Sequence, residues 1–366
     1  MASQSDSVRA EPVEALRDTV IGWDIGGAHV KASLLVGGRL RDAVQWACPL
    51  WEGLDRLDAV LAQARSRWPG MAQARHAVTM TGEMADLFAS RAEGVACIAE
   101  RLAQQPGAGV GFWAGEDGFI ESDDVSARWE DVASANWLAT ATLAARSVGH
   151  GLLVDIGSTT CDLIPLLGRR PAARGRSDAQ RLVHGELVYQ GVVRTPLCAL
   201  ARRIDFEGVP HNVMNEFFAT TADVYRLLGE LDPAHDQHPA ADHGPKDALS
   251  TRRRLARMVG RDADEGGEEA WADFARAWRA EQLLEIGRNL DKVLREAGLP
   301  LDAPLVSAGC GCFLVEKLAA LRGRPCEHFA ARAVRLDGAS DAGLVRQAQV
   351  CAPAVAVGLL LAQERG

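Results

Sequence analysis

Asp24-Ile25-Gly26-Gly27-Ala28-His29-Val30-Lys31 and Asp155-Ile156-Gly157-Ser158-Thr159-Thr160 are the two stretches on which the fold turns. Each sets an aspartate at the end of an apolar, β-rich run and follows it with a glycine turn into a second such run. Val20 to Trp23 precedes the first turn and Val30 to Val36 follows it; Gly151 to Val154 and Leu163 to Leu167 flank the second. The two aspartates lie 131 residues apart. A strand-turn-strand unit recurring at that distance predicts a duplicated domain with one cleft between the halves, because short tandem repeats recur every ~20 to 50 residues.

Working outward, Gly37-Gly38 offers a tight hairpin connection to Leu40 to Trp46, and Leu54 to Trp68 carries apolar residues at helical spacing. His76 to Thr81 reads as a strand, with a helix expected through Met84 to Arg91. Between Leu231 and Gly267 the chain turns rich in Asp, His, Pro and Gly around a basic helix expected over Arg252 to Arg261, the pattern of an insertion or mobile lid. Ala270 to Ala297 is a long helical pattern, Pro304 to Ser307 a strand, and Cys351 to Ala362 a packed helix. The expected organisation is an N-terminal tail over 1–17, one α/β domain over 18–148 and a second over 149–366, each with a mixed five-stranded sheet.

Length supports this: 366 residues exceed the usual size of a single compact core. The formal charge of −9 with interspersed signs gives no electrostatic footprint for nucleic acid or an anionic membrane, so small molecules are the expected partners. The 36 Arg against 4 Lys reflect codon usage and carry no mechanistic weight. Eight cysteines without a repeated CxxC pair, and a start without a charged region followed by an apolar one, predict a reducing, cytoplasmic setting. No apolar run reaches the roughly 18 to 20 residues of a membrane span. The sequence leaves the oligomeric state open.

The glycines of the first loop let the backbone turn sharply and bring N–H groups to phosphate oxygens, which assigns Gly26 and Gly27 to phosphate binding. The second loop adds a turn at Gly157 and the hydroxyls of Ser158, Thr159 and Thr160. Magnesium keeps most of its waters and needs only one or two carboxylates, which Asp24 and Asp155 would supply, directly or through water. Lys31 adds a charge or serves the strand. Gly309 and Gly311 suit a base or ribose lying against bare backbone, although a strand-to-helix turn needs glycine without any ligand. His235, His238 and His243 with Asp232, Asp236 and Asp242 invite a metal reading, but a hydrated loop is the better expectation because zinc needs a fixed tetrahedral set.

The ordered strings DIGGAHVK, DIGSTTCD and VSAGCG resemble the two phosphate motifs and the adenosine motif of the superfamily of acetate and sugar kinases, chaperone ATPases and actin. That resemblance implies duplicated ribonuclease H-like (actin-like ATPase) domains. TMTGEMADLF from Thr79, GELVYQGVVRTPLCAL from Gly185 and TTADVYRLLGEL from Thr220 are similar to the hydantoinase A-like proteins of tetrahydromethanopterin-linked one-carbon metabolism, and the likeness covers nearly all of Trp23 to Leu361. It extends to methanofuran-biosynthesis enzymes that join an aminomethyl-furanmethyl diphosphate to a tyramine- or tyrosine-type phenol, forming an aryl ether and releasing diphosphate. By this resemblance the chain is a transferase using Mg2+, with ATP use open, and its partners are a furfuryl diphosphate and a phenolic amine or amino acid.

A phenol with pKa near 10 gains from a base as it attacks, and Glu83 and Glu186 are the candidates. Glu83 follows the Thr81-Gly82 turn, where a helix N-terminal carboxylate is an equal reading. Asn136, beside Trp137, and Arg194 are candidates for substrate contact, Arg194 through a forked guanidinium on an anionic tail. Three other readings stay open: an ATP-dependent small-molecule kinase, a non-enzymatic nucleotide-binding module whose closure changes partner affinity, and a cyclic-amide hydrolase, which lacks a dedicated nucleophile.

Overall fold

The computed structural model describes residues 18–105, 107, 109–337 and 341–364, so the expected tail over 1–17 lies outside the described residues. Strands β1 (Thr19–Ile25), β2 (His29–Val36) and β3 (Arg39–Ala47) form an antiparallel meander, with Gly37 and Gly38 both at positive φ in the β2–β3 hairpin. Helix α1 (Asp55–Arg67) returns the chain to β4 (Arg75–Met80), parallel to β1, and α2 (Arg91–Ala103) leads to β5 (Val110–Trp113), parallel to β4. A two-residue strand, β6 (Phe119–Ile120), pairs antiparallel at the edge and makes this sheet six-stranded, one more than expected. The sheet order is β3-β2-β1-β4-β5-β6.

The helix expected over Met84 to Arg91 is not there. Residues Gly82–Met84 form a single 3-10 turn, and α2 begins only at Arg91 because Ser90 caps it, accepting the Glu93 N–H at 3.2 Å. Short helices α3 (Ser122–Val125) and α4 (Trp129–Val132) then lead to α5 (Asn136–Val148).

The second half repeats the plan. Strands β7 (Gly151–Ile156) and β8 (Cys161–Leu167) form the antiparallel pair, β9 (Arg170–Pro171) turns back to pair antiparallel with the end of β8, and α6 (Asp178–His184) precedes β10 (Leu187–Val188) on the outer side of β8. After a hairpin of β11 (Arg203–Phe206) and β12 (Val209–Asn212), helices α7 (Thr221–Leu227), α8 (Ala248–Arg257) and α9 (Glu268–Glu296) lead to β13 (Leu305–Ala308), parallel to β7. Helix α10 (Cys312–Leu321) and β14 (Cys326–His328) complete the order β10-β8-β7-β13-β14, and β9, paired with β8 off this path, makes this sheet six-stranded as well. The order matches β3-β2-β1-β4-β5 strand for strand, so the fold is a duplicated ribonuclease H-like α/β architecture.

Two helices tie the halves together. Helix α5, at the end of the first half, lies on β7, β8 and β9 of the second sheet. After α11 (Phe329–Ala333) and α12 (Ala342–Val350), α13 (Ala352–Gln363) returns to β1, β2 and β4 of the first sheet and packs along α5. Every residue of α13 from Ala352 to Leu361 is buried, and each Val or Leu there contributes roughly 1.5–3 kcal/mol. Close approach requires Gly22, since a Cβ there would stand 2.0 Å from the Ala354 carbonyl. This seam joins two further apolar cores, one within each half. Among the described residues no single helix is long and apolar enough to cross a membrane.

The 231–267 segment is tied down by arginines. Arg226 and Lys246 pair with Asp236, and Arg254, fully buried, joins Asp223 at 2.8 Å and Asp242 at 3.0 Å. These pairs use Asp236 and Asp242, two of the three carboxylates considered for metal, and among the described residues no group of three or more His, Cys, Asp or Glu side chains could hold a metal ion. Its helix sits four residues earlier than expected, at Ala248, because the Asp247 side chain accepts the Ser250 N–H.

Candidate functional site

Both glycine loops join their strands by the same four-residue turn. The Gly26 N–H donates to the His29 carbonyl at 2.9 Å, and the Gly157 N–H to the Thr160 carbonyl at 2.8 Å. At Gly26 a Cβ would meet the His29 carbonyl at 2.8 Å, whereas at Gly27 it would meet nothing, being open to the cleft. Behind the second loop the N–H groups of Val192, Val193 and Arg194 donate to the Gly157 and Ser158 carbonyls. Gly191 lies against this loop so closely that a Cβ would come within 2.3 Å of Ser158 and Thr159 backbone atoms. The Gly191 carbonyl is held in turn by the Thr195 and Thr221 hydroxyls and the Gln282 amide. The arch from Gly191 to Thr195 therefore braces the loop from behind.

Between the loops lies a cleft of about 560 Å³. Gly26, Gly27, Gly157, Ser158, Thr159 and Thr160 line it together, as do Asp24, Asn136 and Arg194. The floor is strongly charged. Asp24 is buried, with Lys31 Nζ 3.8 Å from one carboxylate oxygen and the Asn136 amide donating to the other at 3.5 Å. Burial raises the pKa of Asp24 against the lowering effects of Lys31 and Asn136. Asp155 does not reach the cleft wall; burial, then the neighbouring Asp162 carboxylate, pushes its pKa from the ordinary 3.8 to about 7, with Lys31 opposing. Lys31 has a raised pKa because Asp24 and Asp155 outweigh its own desolvation.

Asp162, at the start of β8, pairs with the buried Arg181 of α6, whose guanidinium stacks 4.3 Å from the Trp137 ring. This joins the second half to the first residues of α5. On the other wall Trp51 carries Arg194 over its face at 5.0 Å. His238, from the 231–267 segment, packs beside Trp51, meets the Ala28 carbonyl at 2.8 Å and contacts His29 edge-on. Burial, then the adjoining His238, pushes His29 down to about 2, so the imidazole behind the first loop stays neutral. Burial also lowers the pKa of Arg194, for which no carboxylate partner is found among the described residues.

The remaining residues singled out in the sequence lie outside the cleft lining. Glu186 is buried, with its two carboxylate oxygens accepting the Arg174 and Gly175 N–H groups at 2.6 and 2.9 Å. Gly309 and Gly311 pack the β13–α10 turn onto the second loop, where Cβ atoms would strike Asp155 and Ile156. Glu83 stands just behind the wall and accepts the Ser134 hydroxyl at 2.7 Å. Ser134, Arg181, Asp178 and Trp51 line the cleft without having been singled out as site residues. A cleft-facing role for Ser134 has no local signal, since its partner lies 51 residues away. For Trp51 the available signal was a lone aromatic just after the β-meander.

Fold and cleft define a two-domain α/β protein of the actin-like class, with its two glycine loops facing each other across the interdomain gap. Within that class the chain belongs to the hydantoinase/oxoprolinase family, whose model matches residues 75–334. It is 30% identical over 281 residues, covering 76% of this chain and 83% of the relative, to the (4-{4-[2-(gamma-L-glutamylamino)ethyl]phenoxymethyl}furan-2-yl)methanamine synthase of Methanocaldococcus jannaschii. The synthase of the same name from Methanococcus vannielii is 31% identical over 148 residues, 40% of this chain and 66% of that relative. Among solved structures, component A of (R)-2-hydroxyglutaryl-CoA dehydratase from Acidaminococcus fermentans superposes with a TM-score of 0.45 at 9% identity, over 94% of this chain and 98% of that one.

Proposed function

We propose that the chain is a transferase of methanofuran- or methylofuran-type cofactor biosynthesis, condensing an aminomethyl-furanmethyl diphosphate with a tyramine- or tyrosine-type phenol and releasing diphosphate. The observation that carries it is the identity with the M. jannaschii synthase, whose named product contains the phenoxymethyl-furan ether this reaction makes. The cleft chemistry supports it. Diphosphate oxygens fit against Gly26 and Gly27 on one side and the Ser158, Thr159 and Thr160 hydroxyls on the other, with the Lys31 ammonium beneath. Donors fixed before the reaction stabilise charge as it builds on the leaving group.

Exposed Met84 and Tyr189 at the mouth, with Trp51 beside them, offer apolar surface to an aromatic acceptor. Arg194, half-buried on Trp51, suits the anionic end of a substrate. Magnesium keeps most of its waters and needs only one or two carboxylates, so the absence of a larger ligand cluster among the described residues does not stand against it. Asp24 and Asp155 both lie close enough to Lys31 to raise its pKa, while Asp162 pairs with Arg181. Asp24 would hold the ion, with Asp155 reached through water; when bound, it would neutralise the diphosphate.

The test is phosphorus NMR of the protein with magnesium, ATP, the furfuryl diphosphate and a tyramine-type phenol, with mass analysis of the same sample. Diphosphate plus the aryl ether is the expected result. ADP with a phosphorylated acceptor would move the assignment to a kinase, and unchanged phosphorus signals would refute the transferase for that phenol.

A further inference from the structure

Ser134 has an unusual setting. It follows α4 with φ at +51°, a left-handed conformation that a non-glycine residue adopts at a cost of roughly 1–3 kcal/mol. Its side chain is buried at the cleft wall, where the hydroxyl donates to Glu83 Oε1 at 2.7 Å and accepts from the Arg91 guanidinium at 2.9 Å. Arg91 also donates to Glu83 Oε1 at 3.2 Å, which fixes the pair. The second Glu83 oxygen is buried with no hydrogen-bond partner among the described residues.

A serine hydroxyl has one proton and two lone pairs. Here the proton is committed to Glu83 and one lone pair to Arg91, which leaves one lone pair. A ligand meeting that oxygen must therefore present a donor, such as an O–H. Strained backbone concentrates where geometry serves a ligand.

Resting on the transferase reading above, we infer that Ser134 is the catalytic residue that meets the acceptor phenol, and that Glu83 acts through it as the final proton acceptor. As the phenol oxygen forms its bond to the furfuryl carbon, the carbon–oxygen bond to diphosphate breaks and its electron pair leaves with the diphosphate. The phenolic proton passes to Ser134 Oγ while the serine proton passes to Glu83 Oε1, so charge and protons balance without another reactant. Arg91 is a positioning residue.

The test compares the wild type with Ser134→Gly, which suits the left-handed backbone, and Glu83→Gln, which keeps the hydrogen bonds but takes no proton. Each is assayed for ether formation with an ordinary phenol and with a fluorinated phenol already ionised at the assay pH. Both variants should keep the wild-type circular dichroism spectrum, lose about 10²- to 10⁴-fold in kcat with the ordinary phenol, and recover most of that loss with the ionised one. A loss of packing alone would slow both phenols equally. Wild-type ether formation with both variants keeping the wild-type ratio between the two phenols would overturn the inference alone. No ether from the wild type with either phenol would overturn the functional reading and this inference with it.

Discussion

Replacing Asp155 by Asn should stabilise the protein above neutral pH and leave it almost unchanged in acid. Burial, the Asp162 carboxylate and, more weakly, Asp24 move the Asp155 pKa from 3.8 to about 7, even with Lys31 opposing. Between those values the folded chain holds a proton that the unfolded chain releases. Stability therefore falls as pH rises across that window, and the full cost is present above about pH 7. Three pKa units correspond to roughly 4 kcal/mol at 1.36 kcal/mol per unit. Asn has the same shape and no charge, so it removes the cost, less the attraction that Lys31 loses. At about 2–4 °C per kcal/mol, the midpoint should rise by roughly 8 °C at pH 8 and hardly at all at about pH 3, below the unfolded value of 3.8. Thermal melts followed by circular dichroism at both pH values, with chelator to hold divalent ions away, make the measurement. A variant no more stable than wild type at pH 8, or equally stabilised at both, would refute the burial argument. If Asp155 helps to hold magnesium at the diphosphate, as proposed above, the same variant should also be slower in magnesium-dependent turnover.

Gly191→Ala would place its Cβ 2.3 Å from backbone atoms of Ser158 and Thr159, so the second loop must shift; we expect a loss of about 1–3 kcal/mol in denaturant melts and weaker binding of inorganic diphosphate in calorimetry. Arg194→Lys keeps the charge but loses the flat guanidinium stacked on Trp51; KM for the diphosphate should rise about tenfold in steady-state kinetics, with kcat and thermal midpoint nearly unchanged.

The duplicated strand-turn-strand plan was legible because the features behind it are local. Alternating β-rich runs and glycine turns declare themselves within a few residues, and their recurrence at Asp24 and Asp155 announced one cleft. The helix over Met84 to Arg91 failed for an equally local reason: the Ser90 cap, with Glu93 three positions on, outweighs the apolar spacing before it. Glu83 and Glu186 looked alike in the sequence, each a carboxylate beside a glycine. They differ because Glu186 is engaged by the Arg174 and Gly175 amides, while Glu83 reaches a serine on a distant turn.

What the sequence determined by itself is the pair of glycine loops, the actin-like order of the elements around them and the likeness to a family of named synthases. Tertiary structure alone decided which side chains meet: Lys31 between Asp24 and Asp155, Arg181 stacked on Trp137, Arg194 on Trp51, and Ser134 between Glu83 and the cleft. The reason is physical. Turn and strand preferences act over a few neighbours, which already set Lys31 opposite Asp24 across one hairpin, whereas the other pairings join groups 19 to 143 residues apart that only the folded chain brings together.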